Sequence, residues 1–314
     1  MVRLAALLGL AALLAACASS PALRERGLPA APVELTATPF YPQAAYQCGP
    51  AALATVLVAS GAAVTPDELV PKIYLPGRRG STQTEIIAAT RTHERLPYVL
   101  SPDIAALLTE VAAGTPVLVL QNLGLKYLAL WHYAVVIGYD PASDTLLLRS
   151  GTEKRLSVSR RRFMAGWKRA GHWALVATPL DRIPATASSH GWLSAASAFE
   201  ALQRPAMAEA AYAAATRRWP EQALPWQALA NARHALGNAA GAEAALRAAL
   251  QIGAAAAAYN NLSQLLLERG CRSAALAAIT SAEAAADAGA HRAVLAATRN
   301  GIEHSTTGDA PACP

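Results

Sequence analysis

Successive parts of the chain space their apolar residues differently, and each spacing predicts an element. Residues 51–59, AALATVLVA, are almost wholly apolar, which predicts a helix that can be buried on all sides. Pro50 lies in its first turn, where the missing N–H costs nothing. Thr65-Pro66-Asp67-Glu68 offers a hydroxyl cap, a proline at the first position and a glutamate three residues after the cap, and so starts a second, short helix. After a turn at residues 77–80, residues 81–92 predict a third helix with Ile86 and Ile87 inward. Ser101-Pro102-Asp103 caps a fourth, which Gly114 ends. There the period changes. Residues 116–121, 133–139, 145–149 and 173–178 are Val- and Leu-rich runs divided by turn residues, hence strands of an antiparallel sheet. Helices followed by a sheet predict an α+β domain.

Past a Pro/Ala/Ser linker at residues 182–189 the chain becomes Ala-rich and repeats itself. Trp192, Trp226 and Tyr259 recur 34 and then 33 residues apart. Each is followed at a fixed distance by a small residue, Ala208, Ala242 or Ala275, and four residues later by a large one, Tyr212, Leu246 or Ile279. This spacing resembles the tetratricopeptide period, in which small residues let paired helices approach closely. Three repeats over residues 190–288 would stack into an all-α array with a concave face, open to a protein partner. Residues 289–314 are then expected to supply a capping helix and a loose tail.

The N-terminus is read as an address. Arg3 supplies a positive charge, and residues 4–16 are an apolar run too short to span a bilayer. Leu14-Ala15-Ala16-Cys17 resembles a bacterial lipobox, which implies removal of residues 1–17 up to the cysteine and acylation of Cys17. An ordinary signal peptide cut at A-x-A is the alternative. Ala18 stands where many inner-membrane lipoproteins carry aspartate, so the likeness implies the periplasmic face of the outer membrane. Residues 18–33, with three prolines and no hydrophobic period, are expected to be an extended tether to that membrane.

Composition narrows the function classes. A 314-residue chain that is 54% hydrophobic with net charge +6 is not a disordered protein. Its basic clusters, Arg78-Arg79 and Arg160-Arg161-Arg162, lack the aromatic interleaving of a nucleic-acid module, so no nucleic-acid partner is expected and a solvated basic surface is. Such a surface suits residence beside anionic lipid. No metal-ligand histidine pair, phosphate loop or dinucleotide fingerprint is visible, and no cofactor is expected. His93, His172, His190, His234, His291 and His304 are taken as surface or core residues.

The chemistry concentrates in residues 40–53, FYPQAAYQCGPAAL. Cys48 falls at a helix N-terminus, where the dipole and free N–H groups favour negative charge, so its thiol pKa is expected to fall. The Gln43 amide could join the Cys48 N–H in holding an oxyanion, while Gln47 reads as a solvated loop residue. His132, which opens an apolar strand in WHYAVVIGYD, is the candidate base. Alone, Cys48 would more often be a small buried hydrophobe or half of a disulfide, and His132 a satisfied strand histidine. Together, Q-x4-CGPAAL and HYAVV resemble the bacteriocin-processing, double-glycine cysteine peptidase family, whose fold is papain-like, and its bacterial relatives lacking the transporter. The resemblance spans residues 34–181 and implies Cys48 as nucleophile, His132 as general base and Gln43 as oxyanion donor. Family members often have five residues between Gln and Cys, whereas this chain has four.

The relatives place an Asp or Asn on the strand after the histidine. Asp140, eight residues along an extended strand at about 3.3 Å each, is on the order of 26 Å from His132. A hairpin turning near Ala142 brings residue 152 opposite His132, so the orienting group is expected within Ser150–Thr152, where Ser-Gly-Thr offers no carboxylate; the resemblance implies Ser150, which stands where the relatives' acidic residue is expected once the longer turn is allowed for. With Cys17 acylated and Cys48 free, Cys271 and Cys313 remain and are expected to pair. The expected protein is a lipid-anchored periplasmic cysteine peptidase acting on a peptide or protein substrate, with repeats that recruit substrate or partner. A non-catalytic peptide-binding scaffold, or a thiol amidase or acyltransferase on a non-protein substrate, are the alternatives.

Overall fold

A computed structural model describes residues 31–43, 47–253, 255–306, 309–310 and 313. The leader, Cys17 and almost all of the 18–33 tether lie outside the described residues. The chain divides into two units, the first running to Thr178 and regaining Pro184–Thr186, the second comprising Pro179–Ile183 and everything from Ala187.

In the first unit, helices α1 (Cys48–Ala59), α2 (Pro66–Ile73) and α3 (Gln83–Thr92) precede strand β2 (Leu96–Val99) and helix α4 (Ile104–Ala112). Strands β3 (Val117–Asn122), β4 (Trp131–Asp140), β5 (Thr145–Ser150) and β6 (Glu153–Ser159) follow, then helix α5 (Arg160–Arg169) and strand β7 (Ala174–Thr178). The strands form one antiparallel sheet in the order β2-β7-β3-β4-β5-β6, and β1 (Val33–Glu34) pairs with β4. The capping box at Thr65 forms, with the Glu68 carboxylate accepting the Thr65 N–H at 2.7 Å. Leu53, Val56 and Leu57 of the all-apolar α1 pack in one core with Leu118, Val135, Ile137 and Leu175 of the sheet. Burying those side chains is what presses the N-terminus of α1 against β4.

Four elements depart from the sequence reading. Val33 is not tether but sheet, paired with Tyr139. Strand β2, Leu-Pro-Tyr-Val, lies at an edge of the sheet, where a proline is tolerated, and gives no period of its own. Strand β6 alternates polar residues at an exposed edge, where no apolar face is needed to stabilise it. Helix α5 hides a buried stripe, Phe163, Gly166 and Trp167, among five basic residues, and Arg160 is not freely solvated but ion-paired with Asp144 at 2.7 Å.

The second unit is all-α: α6 (Ser189–Ala201) with α7 (Pro205–Arg218), α8 (Ala223–Ala235) with α9 (Ala239–Ile252), α10 (Ala256–Glu268) with α11 (Arg272–Ala284), and a final α12 (Ala288–Glu303). Ala208, Ala242 and Ala275 are buried at equivalent places in the second helix of each pair, as tetratricopeptide-like repeats require. The expected loose tail is corrected where it is described. Cys313 is disulfide-bonded to Cys271, the Ala310 N–H donates to the Gly270 carbonyl at 3.0 Å, and Asp309 accepts the Ser273 N–H at 2.9 Å. The tail therefore caps the otherwise unsatisfied N-terminus of α11.

Candidate active site

Cys48 is the first residue of α1, and Gln47, its N-cap, supplies no side-chain bond to the helix. Gly49 is demanded by packing: a Cβ there would collide with the Ser81 side chain and meet the Tyr133 ring at 3.7 Å. The backbone N–H groups of Cys48, Gly49 and Tyr133 lie near enough to the thiol to favour its thiolate, so the start of α1 and the start of β4 meet at the sulfur. His132 is the residue before Tyr133 and pairs across the sheet with Gln121 of β3. Cys48, His132 and Gln43 all line one open cavity of ≈ 960 Å³, with residues 78–83 on one wall and Ala129, Leu130 and Trp131 on another.

His132 Nε2 lies 2.8 Å from the Ser150 hydroxyl, which is buried. The hairpin register explains why. Asp140 pairs with Thr145 at the turn, the register shifts between Val136 and Gly138, and beyond that irregularity Val136 faces Leu148 and Val135 faces Arg149. One step further brings Ser150 diagonally beside His132 on the same face. Asp140 stays at the far end of the hairpin, accepting the Ala142 N–H at 2.9 Å and the Ser143 hydroxyl at 2.7 Å. Asp144 is engaged by Arg160.

The electrostatics correct one expectation. Burial pushes the Cys48 thiol above its ordinary pKa, outweighing the three backbone N–H groups that favour the thiolate. Burial also holds His132 below the usual imidazole range, and no carboxylate opposes it. Both shifts favour the neutral forms, thiol and imidazole, on the walls of the one cavity.

Gln43 reaches the cavity on a segment tied down at two places. Its own N–H donates to the Gly151 carbonyl at 3.2 Å, in the turn after Ser150. Upstream, the buried Arg149 guanidinium donates to the Thr38 carbonyl at 2.9 and 3.3 Å, to the Thr36 carbonyl at 3.3 Å, and to the Lys154 carbonyl. Residues 44–46, between Gln43 and Cys48, lie outside the described residues. Sequence reasoning passed over Arg149, although a cation inside the apolar run Leu-Leu-Leu-Arg was the available signal.

Residues 35–175 match the model of the Peptidase_C39 like family. Among solved structures, the chain is similar to a putative C39-like peptidase from Bacillus anthracis, at 20% identity and TM-score 0.40 over 47% of this chain and 97% of that one. It is also similar to the peptidase domain of Streptococcus ComA, a bi-functional ABC transporter, at 22% identity and TM-score 0.38 over 45% of this chain and 98% of that one. A third is the Yersinia enterocolitica type III secretion chaperone SycD in complex with a peptide of the translocator YopD, at 13% identity and TM-score 0.34 over 36% and 91%. None of the curated proteins matches the chain.

Proposed function

Because residues 35–175 match the model of the Peptidase_C39 like family, we propose that this protein is a cysteine peptidase that cleaves peptide bonds with Cys48 and His132. The observation that carries the reading is the convergence of Gln43, Cys48 and His132 on one cavity, with His132 tied to Ser150. With its hydrogen on Nε2, His132 donates to the Ser150 hydroxyl and leaves Nδ1 free to accept the thiol proton. Sulfur then attacks the substrate carbonyl, and the oxyanion is held by the Cys48 N–H and the Gln43 amide. The imidazolium returns its proton to the departing amine, leaving a thioester. Water, deprotonated by the same imidazole, hydrolyses that thioester and regenerates the thiol.

In this reading acylation of Cys17 anchors the chain in the bacterial envelope, at the periplasmic face of the outer membrane, and the repeats recruit substrate or partner. Among the described residues no helix is long and apolar enough to cross a membrane. One observation favours a second reading: a neutral Cys48–His132 pair with no carboxylate behind it also suits a peptide-binding scaffold. Incubating a periplasmic extract with the protein or with Cys48→Ala, and reading new peptide N-termini by mass spectrometry, separates the two. Termini that depend on Cys48 support the peptidase; identical termini leave the scaffold.

A further inference from the structure

Between β3 and β4 the chain reads Leu-Gly-Leu-Lys-Tyr-Leu-Ala-Leu-Trp over residues 123–131, and its large side chains face solvent. Leu125 is 73%, Tyr127 94% and Leu128 77% exposed, and Leu123, Leu130 and Trp131 are exposed as well. A single exposed leucine needs no explanation, but six large apolar side chains on one hairpin form a patch.

The hairpin is built to be closed. The Leu123 N–H donates to the Leu130 carbonyl at 2.8 Å and the Leu125 N–H to the Leu128 carbonyl at 3.1 Å. The Asn122 side-chain oxygen accepts the N–H groups of Gly124 at 3.0 Å and Leu130 at 2.9 Å. Residue 124 is glycine because a Cβ would collide with the Leu128 carbonyl and lie 2.8 Å from the Leu130 nitrogen. Four backbone N–H groups of residues 123–130 and the carbonyls of Leu128 and Leu130 are thus paired inside the hairpin, which lowers the cost of their entering an apolar medium.

The catalytic cleft accounts for only part of this patch. Ala129, Leu130 and Trp131 line the cavity, whereas Leu125, Tyr127 and Leu128 do not. The hairpin's own charge is of one sign. Lys126 lies among the apolar residues, residues 121–132 contain no acid, and exposed Lys168 and Arg169 end α5 at the hairpin base. Arg169 marks that base by donating to the Asn122 carbonyl at 2.8 and 3.1 Å. An apolar tip with tyrosine and tryptophan, flanked by cations, matches a lipid interface: apolar groups at the acyl boundary, aromatic rings at headgroup level, cations on phosphate. A protein groove would accept the apolar tip but gives no reason for a lysine on it and cations at its base.

We propose that the hairpin of residues 123–130 docks into the interfacial region of an anionic bilayer and holds the Cys48 cleft against the membrane surface. The proposal is independent of whether Cys48 is catalytic. It is tested on the full chain carrying Cys17→Ser, which removes acylation, and Cys48→Ala, which removes the second free thiol. Tyr127→Cys then carries an environment-sensitive fluorophore that reports on the hairpin itself, whatever else on the chain touches lipid. Vesicles of phosphatidylcholine with phosphatidylglycerol should shift its emission to the blue and raise it several-fold, and pure phosphatidylcholine should do so far less. In vesicle flotation of the Cys17→Ser chain, Leu125→Ser/Tyr127→Ser/Leu128→Ser should lower the bound fraction about tenfold with near-ultraviolet dichroism unchanged. Emission unchanged by anionic vesicles overturns the proposal, whether or not the chain floats. So does a triple variant that floats like its parent but loses turnover of peptides, which would assign the hairpin to a protein ligand.

Discussion

His132 Nε2 and Ser150 Oγ are 2.8 Å apart, so a neutral hydroxyl occupies the place from which a carboxylate would orient and charge-stabilise the imidazole. A hydroxyl can fix the tautomer but contributes little to an imidazolium. Ser150→Ala is therefore expected to lower kcat/KM by only about tenfold, roughly 1.4 kcal/mol, the scale of one neutral hydrogen bond. Asp140→Asn, at the far end of the hairpin, should stay within about twofold. A near-complete loss in Asp140→Asn with the fold intact would overturn the assignment of Ser150.

Burial sets the pH behaviour of the pair. With Cys48 pushed up, alkylation of the free protein should have its midpoint above that of an ordinary thiol, and rapid labelling at pH 6 would contradict the buried neutral thiol. His132 moves the other way. A folded-state pKa below the usual histidine value means the unfolded chain binds more protons as pH falls, so this residue's contribution to stability is lost below the ordinary imidazole pKa. Urea midpoints followed downward from neutral pH should fall more steeply for the parent than for His132→Gln. Parallel curves would show that His132 does not titrate between the two states.

Arg149 and Gln43 should separate by readout. Arg149→Met removes the donor to three backbone carbonyls, those of Thr36, Thr38 and Lys154, and is expected to cost about 2–4 kcal/mol of stability, seen as a lowered denaturation midpoint. Gln43→Ala leaves the fold alone and should lower kcat by about 10²–10³ if its amide holds the oxyanion. Equal midpoints for Arg149→Met and parent would mean that the segment before Gln43 is held by something else.

How far the site was legible depends on which force sets each feature. The Cys48 helix could be read because an all-apolar run with proline in its first turn has one good solution, and the neighbourhood of Ser150 because a two-residue period and a turn near Ala142 carry residues 150–152 back towards His132. The irregularity between Val136 and Gly138 could not be read, yet it shifts the register by one where the hairpin nears its turn. The thiol pKa was misjudged because a helix N-terminus is visible in sequence whereas the burial that outweighs it comes from packing of α1 on the sheet. Strand β6 and helix α5 were missed because their residues are polar: one is an edge, the other buries only a narrow stripe.

The Cys271–Cys313 disulfide joins residues 42 apart and brings Asp309 to the first turn of α11. Closing a loop of that length restricts the unfolded chain by about 4 kcal/mol in the chain-entropy picture. The Asp309 bond to the Ser273 N–H adds about 1 kcal/mol, the usual worth of a helix cap. Both act on the last helix pair of the second unit, whereas the first unit contains no disulfide among its described residues. Reduction, or Cys313→Ser, should therefore lower the unfolding midpoint of the second unit by on the order of 10–15 °C and leave the first unit's unchanged. Asp309→Ala with the disulfide intact should give a fraction of that shift. Hydrogen exchange read peptide by peptide checks this: protection should fall first in residues 272–284. Uniform loss of protection across both units would contradict a local staple, and no loss at all would mean that the two cysteines are not joined in the folded protein.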